Sequence, residues 1–346
     1  LATCTGFDMG DWIALDIGGA NIKIADAHRL ARTFEFSLWK QPARLRGKLE
    51  RILSRQSFDR IAVTMTGELA DCFESKNDGV RSIVDAVVAA GSGRLVRVYL
   101  TDGSLATPEE AIAQAPLAAA SNWHALARFA GRYAPVGSAL LIDVGSTTTD
   151  LIGLVDGRPV NVGQTDTQRL IAGELVYTGV ERSPVCALLK QATYRGERCR
   201  VAQELFATTR DAYLVLGECP EDVDDRATAD GRPATMVNAR RRLGRMLCAD
   251  VDDFSSDDAK SLASEVVQAQ LDMLHQAATE VIARFASPIT TAIISGHGGQ
   301  LASRLIGRLP WQAEVISLTE ILGREISRCA PAYALATLVQ EAAGNG

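Results

Sequence analysis

Apolar and polar residues alternate in three successive stretches of DWIALDIGGANIKIADAHRLARTFEFSL, residues 11–38. A period of two predicts three antiparallel strands joined by tight turns. The first strand ends in Asp16 and turns at Gly18 and Gly19. Helical spacing follows over residues 42–54, then a strand in FDRIAVTMT, a helix over 77–90 and a strand in RLVRVYL. The order βββαβαβ predicts a mixed sheet with crossover helices. In TPEEAIAQA, Thr107 precedes Pro108 and stands three residues before Glu110, which marks a helix start. The helical SNWHALARFAGRY closes this first unit near Pro135.

The opening pattern then returns. LLIDVGSTTTDLIGL, residues 140–154, lies on ALDIGGANIKIAD with Asp143 over Asp16, Gly145 over Gly18 and Ser146 over Gly19, a constant offset of 127 residues. A strand, an Asp, a small-residue turn and a second strand recurring at a domain-sized interval indicate an internal duplication. Beyond it the pattern reads as mostly helical, with an acidic insert, GECPEDVDDRATADGRP, expected as a solvated loop, and a basic helix, NARRRLGRML. A long helix over 256–285 leads to the strand ITTAIIS and a third glycine-rich turn, Ser295-Gly296-His297-Gly298-Gly299, then to the helical QLASRLIGRL. The chain ends in a small-residue helix, APAYALATLVQEAA.

Length and composition narrow the function less than the pattern does. The 346 residues fit two domains, and 47% hydrophobic with 23% charged residues describe an ordinary globular chain. A net charge of -6 gives no global attraction to nucleic acid or an anionic membrane, so any phosphate must be held locally. Seven scattered cysteines without a CxxC, and four histidines away from them, predict reduced thiols, a cytoplasmic location and no zinc site. The N-terminal LATCTGFDMGDW has no basic-then-apolar leader pattern, and no long apolar run follows, so neither secretion nor membrane insertion is expected. Leu1 in place of Met reads as an alternative start or trimming.

The candidate chemistry lies at the turns. Backbone N–H groups converge on anions where no Cβ intervenes, so three glycine turns suggest one polyphosphate clamp: Gly18, Gly19 and Asn21; Gly145, Ser146, Thr147 and Thr148; Gly296, Gly298 and Gly299. Asp16 and Asp143 precede their turns and suit a hydrated Mg2+, which takes one or two carboxylates plus phosphate oxygens, or else stabilise the turns themselves. Lys23 shares a strand face with Asn21 and would meet a phosphate, while the second hairpin places Asp150 at the equivalent position. Asp150 is either an acid/base or a structural partner. The arginines at 195, 198 and 200, and at 240, 241, 242 and 245, read as solvated faces, one or two of which could neutralise a diphosphate.

LDIGGANIK, LIDVGSTTTD and ISGHGGQLA together resemble the three phosphate-clasping turns of the actin, sugar kinase and Hsp70 superfamily. The resemblance implies an α/β fold of two duplicated ribonuclease H-like (actin-like ATPase) domains around a central cleft. Domain I would span 1–135, completed by the C-terminal helix 330–346, and domain II would span 136–329 with a helical insertion. DVGSTTTDL is similar to the hydantoinase/oxoprolinase-like branch. AVTMTGELADCF, ELVYTGVERSPV, YRGERCRVAQELFATTRDAYLVLG, TADGRPAT and CAPAYALATL look like the methanofuran-biosynthesis synthase family, linked to tetrahydromethanopterin-dependent C1 transfer. That family implies a transferase joining an aminomethyl-furanmethanol diphosphate to γ-glutamyltyramine, a phenolic amine acceptor, with an aryl ether formed and pyrophosphate released. On this reading Lys23 and Mg2+ stabilise the leaving diphosphate, and Asp150, Glu68 and Asp143 are candidate bases for the phenol. Ala20-Asn21 replaces the Thr or Ser that kinases carry after the first glycine pair, which speaks against ordinary ATP chemistry. The alternatives are an ATP-dependent kinase or oxoprolinase-type enzyme, and a nucleotide-binding scaffold or sensor without catalysis.

Overall fold

The computed structural model describes residues 11–344; Cys4, with the rest of the first ten residues, and the last two lie outside the described residues. The first sheet contains β1 (Trp12–Ile17), β2 (Asn21–Ala25), β3 (Ala31–Glu35), β4 (Arg60–Met65), β5 (Leu95–Tyr99) and β6 (Leu105–Ala106) in the order β3-β2-β1-β4-β5-β6. β1, β2 and β3 form an antiparallel meander, and β4 and β5 run parallel to β1. The second sheet is built from β7 (Ser138–Val144), β8 (Thr149–Val155), β9 (Arg158–Pro159) and β10 (Leu175–Val176). After the separate hairpin of β11 (Gln191–Tyr194) and β12 (Glu197–Arg200), it is completed by β13 (Ile289–Gly296) and β14 (Glu314–Ser317). Its order is β10-β8-β7-β13-β14, with β7 and β8 antiparallel and β13 and β14 parallel to β7. The 127-residue repeat is therefore a repeat of topology. Both sheets carry the ribonuclease H-like arrangement of an antiparallel hairpin continued by parallel crossover strands.

All six residues of β1 are buried because both faces of the sheet are covered. Ile13, Leu15 and Ile17 pack with Leu49 and Ile52 of helix Leu45–Leu53 and with Val80, Ile83 and Val84 of helix Lys76–Ala90. Trp12 and Ala14 face Leu335, Ala336 and Val339 of the C-terminal helix Ala330–Gly344. The reciprocal contact is made by helix Asn122–Ala130, whose Trp123, Leu126 and Phe129 pack on Leu141, Ile152 and Leu154 of the second sheet. Each lobe thus lends a helix to the other. At roughly 1.5–3 kcal/mol for each large apolar side chain buried, this exchange binds the lobes strongly and fixes the cleft between the two hairpins.

Local signals account for most helix starts. Thr107 and Glu110 form the expected capping box, and Ser255 and Asp258 form another at helix Ser256–Ile282. The helix that starts there, Pro108–Ala113, is short, and a second short helix, Ala115–Ala118, follows. The stretch after the second turn is less helical than its composition suggests, since YRGERC turns at Arg195 and Gly196, both at positive φ, into the β11–β12 hairpin. Arg198 on that hairpin pairs with Glu265 at 3.2 Å.

The acidic insert and basic helix also differ from a pair of solvated surfaces. Arg242 is fully buried and binds Asp211 at 2.6 Å and Asp230 at 3.0 Å, while Arg210 holds Asp225 at 2.6 Å. Acidic loop and basic helix lock together because each supplies the charge that the other needs when removed from water. Arg240, Arg241 and Arg245 stay at the surface of the insertion, where they line a cavity with Arg232. Among the described residues no helix is long and apolar enough to cross a membrane.

Candidate active site between two pairs of turns

Asp16, next to last in β1, stands directly opposite Lys23 on β2, so their side chains share one face, and Lys23 Nζ lies 3.4 Å from Asp16 Oδ2. Burial alone would lower the Lys23 value, but the nearby Asp16 and Asp143 carboxylates hold it above the ordinary lysine value. The ammonium therefore keeps its charge between two acids of different lobes. Asp16 is itself buried, and its Oδ1 has no hydrogen-bond partner among the described residues.

The backbone of the first turn is aimed by its carbonyls. Leu38 N–H donates to Gly19 O at 2.8 Å and Phe36 N–H to Ala20 O at 3.0 Å. Because the N–H and C=O of a trans peptide point opposite ways, tying Gly19 O directs the Ala20 N–H away from the 36–38 segment. The second turn repeats the device. Val180 N–H donates to Gly145 O at 3.1 Å, and Glu181 and Arg182 N–H both donate to Ser146 O at 3.0 Å. The N–H groups of Gly19, Ala20, Ser146 and Thr147 find no acceptor among the described residues. Free, aligned donors of this kind are what an anion-binding turn presents.

Two further glycines close these turns, and sequence reasoning found only one of them. Gly298 N–H donates to Val144 O at 3.1 Å, and Gly67 N–H donates to Ile17 O at 3.0 Å, the equivalent bond in the other lobe. A Cβ on Gly67 would lie 3.1 Å from the carbonyl carbon of Gly18, and one on Gly298 would strike the Val144 side chain. Gly296 needs its positive φ of 78° and leaves no room for a Cβ above Val144 and Asp143. The signal for Gly67 was present: AVTMTG carries its glycine three residues after Thr64, the partner of Asp16, as AIISGHG carries Gly298 three residues after Ser295, the partner of Asp143. Gly299 opens the following helix, Gly299–Ile306.

Sequence reasoning also missed the residues that hold the second turn. Gly179 packs so closely on it that a Cβ would come within 2.5 Å of Gly145 O. Behind Gly179, Gln270 donates to Gly179 O at 2.8 Å and to Thr178 Oγ1 at 2.9 Å, Thr209 donates to Gly179 O at 2.8 Å, and Tyr213 donates to Gln270 at 2.7 Å. This buried network spans residues too far apart in the chain to be paired by pattern. His297 meets Glu181 at 3.3 Å, and this hydrogen bond holds the Glu181 carboxyl below its ordinary value.

Asp150 occupies the position of Lys23 in the second lobe and stands opposite Asp143 in the β7–β8 register. Two carboxylates facing each other would repel, and Arg169 enters to balance them. It donates to Asp150 Oδ1 at 2.6 Å and to Glu174 O at 3.1 Å, and its guanidinium lies 4.0 Å from the centre of the Trp123 ring. Burial raises the Asp150 value, with Arg169 opposing. Burial, reinforced by Asp150, pushes Asp143 up to about 6. Asn21, Ser146, Thr147 and Thr148 are half-buried around the turns.

Glu68 follows Gly67 and is 1% exposed, with no side-chain partner for either carboxylate oxygen among the described residues. Burial pushes it up to about 7, opposed by its own backbone amide, by Lys76 and by the Ala120 amide, with Asp166 adding. A carboxyl that holds its proton more tightly in the folded state stabilises the fold at low pH. Its contribution is full below the ordinary value of 4.5 and is lost as pH rises through about 7. The loss is about 3 kcal/mol. Glu68→Gln is therefore expected to melt several degrees above the parent at pH 8 and to flatten the fall in melting temperature between pH 5 and 8; an unchanged pH profile would show that Glu68 is not the group responsible.

The lobes meet across the cleft through Lys76–Asp166 at 3.5 Å and through Arg182 over the Trp39 ring at 5.6 Å. The arrangement can thus present to an anion the free N–H groups of two hairpin turns and the Lys23 cation, with Asp16 and Asp143 beside it. Among the described residues no group of three His, Cys, Asp or Glu side chains forms a metal cage. The hydantoinase/oxoprolinase family profile matches residues 59–342. A relative from Methanocaldococcus jannaschii, named (4-{4-[2-(gamma-L-glutamylamino)ethyl]phenoxymethyl}furan-2-yl)methanamine synthase, is 32% identical over 95% of this chain and 97% of its own. A Methanococcus vannielii protein of the same name is 30% identical over 59% of this chain and 91% of its own. Among solved structures, the activator of 2-hydroxyisocaproyl-CoA dehydratase from Clostridium difficile aligns over 97% of this chain and 96% of its own, with 13% identity and a TM-score of 0.43.

Proposed function

The chain belongs to the hydantoinase/oxoprolinase family, and from that membership we propose that it is a synthase of the furan-methanamine ether for which its relatives are named. The observation that carries the reading is 32% identity over nearly the whole length of both chains, and the free N–H groups of the two hairpin turns support it. The product name contains a phenoxymethyl bridge between a γ-glutamyl-tyramine and a furan-methanamine. The bond to be made is therefore between a phenol oxygen and a furan-bearing CH2 carbon. That carbon tolerates positive charge, so a diphosphate is a suitable leaving group. In the step, the phenol O–H gives up its proton, the O–CH2 bond forms, the bond from CH2 to the diphosphate oxygen breaks, and pyrophosphate departs with the bonding pair.

Each part of the site has a task in this step. The free N–H groups of the two hairpin turns hold the diphosphate, and Lys23 meets the charge that grows on the leaving oxygen. Asp150, oriented by Arg169 and raised by burial, takes the phenol proton; the phenol's ordinary value near 10 makes such help worthwhile. The chemistry of the site also fits Mg2+, because Asp16 has a buried, unpartnered Oδ1 and Asp143 stands in the corresponding place of the other lobe. These two carboxylates would hold the ion, which when bound neutralises phosphate charge. The partners are then two small molecules and the compartment the cytoplasm, where free thiols persist.

Incubation of the protein with Mg2+, the aminomethyl-furanmethanol diphosphate and γ-glutamyltyramine is expected to yield the ether and one pyrophosphate for each ether, read by mass spectrometry. Consumption of ATP with no ether formed would overturn this reading in favour of an ATP-dependent family member.

A further inference from the structure

Glu68 is held too firmly to be a disordered surface acid. Gly67 is pinned to Ile17 O beside the first turn, and a Cβ on Gly79 of helix Lys76–Ala90 would collide with the Glu68 backbone. Its Cα therefore stands one residue, about 3.8 Å, from the glycine that packs on Gly18. Its buried carboxylate has only the backbone amides of Glu68 and Ala120 beside it and no pairing cation, because nearby Lys76 is engaged by Asp166 at 3.5 Å. Buried charges are ordinarily paired, and among the described residues no side chain pairs with this one.

The substrates do supply a cation. The relatives' product ends in a furan-methanamine, an aliphatic amine that is cationic at neutral pH. In the furan diphosphate that amine lies across the ring from the reacting CH2, roughly 6 Å away by ordinary bond lengths. Glu68 directly follows Gly67, which closes the first turn, and lies near the Lys76–Asp166 pair that joins the lobes, so a bridge of that length is of the right order. The other amine, at the glutamyl end of the acceptor, is separated from the reacting centre by the whole tyramine and amide chain. We propose that Glu68 receives the aminomethyl ammonium of the furan diphosphate and makes the cleft selective for a cationic furan. This assignment rests on the synthase reading above and gives Glu68 a binding role in place of a proton-transfer one.

The test compares the aminomethyl furan diphosphate with its neutral hydroxymethyl counterpart, in the parent and in Glu68→Gln. The parent is expected to favour the amine by about a hundredfold in kcat/KM, a charge-assisted hydrogen bond's worth of discrimination. Glu68→Gln is expected to lose that preference through KM for the furan, leaving KM for the phenol unchanged, and Glu68→Asp to recover part of it. Ether formation in the parent with the preference intact in Glu68→Gln overturns the assignment alone. Equal loss of kcat on both furans also overturns it and returns Glu68 to the proton. Absence of ether from every parent reaction instead marks failure of the synthase reading. Calorimetric binding of non-reactive methylene diphosphonate versions of both furans gives the same comparison without turnover; an equal affinity of the parent for both overturns the proposal.

Discussion

Lys23→Met is expected to slow ether formation about a thousandfold while the protein remains folded. The figure follows from the geometry. Lys23 keeps its proton because Asp16 at 3.4 Å and Asp143 nearby hold it, so a fixed positive charge stands beside the first turn, where the diphosphate is proposed to bind. A unit charge about 4 Å from a developing oxyanion is worth about 4 kcal/mol at the effective dielectric of such sites, which is three decades of rate. Mutation also leaves the buried Asp16 without its cation, and that penalty must be separated from catalysis. In Asp16→Asn/Lys23→Met the uncompensated charge is gone, so the melting temperature should recover. Pyrophosphate release measured in a single turnover should remain slow. A Lys23→Met rate within fivefold of the parent would remove Lys23 from the reaction.

What could be read from the sequence was whatever recurs at short range. Asp16, Gly18 and Gly19, and Asp143, Gly145 and Ser146, are set by a strand, a turn and a strand, so their alignment at one offset was enough to place two hairpins and to imply two similar sheets. The capping residues of 107–110 were legible for the same reason. The Arg169–Asp150 pair was not, because Arg169 lies on the short helix Asp166–Ile171 and reaches β8 only after the chain has folded back. Arg242 looked like one of four surface arginines because residues 240–245 form a run of like charge; its burial depends on Asp211 and Asp230, supplied by other segments. Gly67 was hidden by a different effect, as a single glycine after a strand is unremarkable until the pairing of Thr64 with Asp16 gives it a counterpart in Gly298. The packing of Ala330–Gly344 on the first sheet and of Asn122–Ala130 on the second joins segments too far apart in the chain to be paired by pattern.

Asp150→Asn is expected to lower kcat by about a hundredfold to ten-thousandfold, the range in which a lost general base is felt. The amide oxygen can still accept from Arg169, which is also held by Glu174 O and stacked on Trp123, so the buried guanidinium does not lose every partner. Binding of the furan diphosphate, measured by calorimetry, should stay within about twofold, because the base acts on the other substrate; undiminished ether formation would exclude Asp150 as the base. A second measurement separates proton removal from a mere change of shape. Electron-withdrawing substituents on the acceptor ring make its phenol a stronger acid and reduce the need for a base, so they should restore much of the rate in Asp150→Asn. They should do little for Lys23→Met, where the phenol can still be deprotonated and the defect lies at the departing oxygen. Equal rescue of both variants would mean that the two residues do not divide the reaction between nucleophile and leaving group, and the opposite charges that the duplicated hairpins carry at equivalent positions would need another explanation.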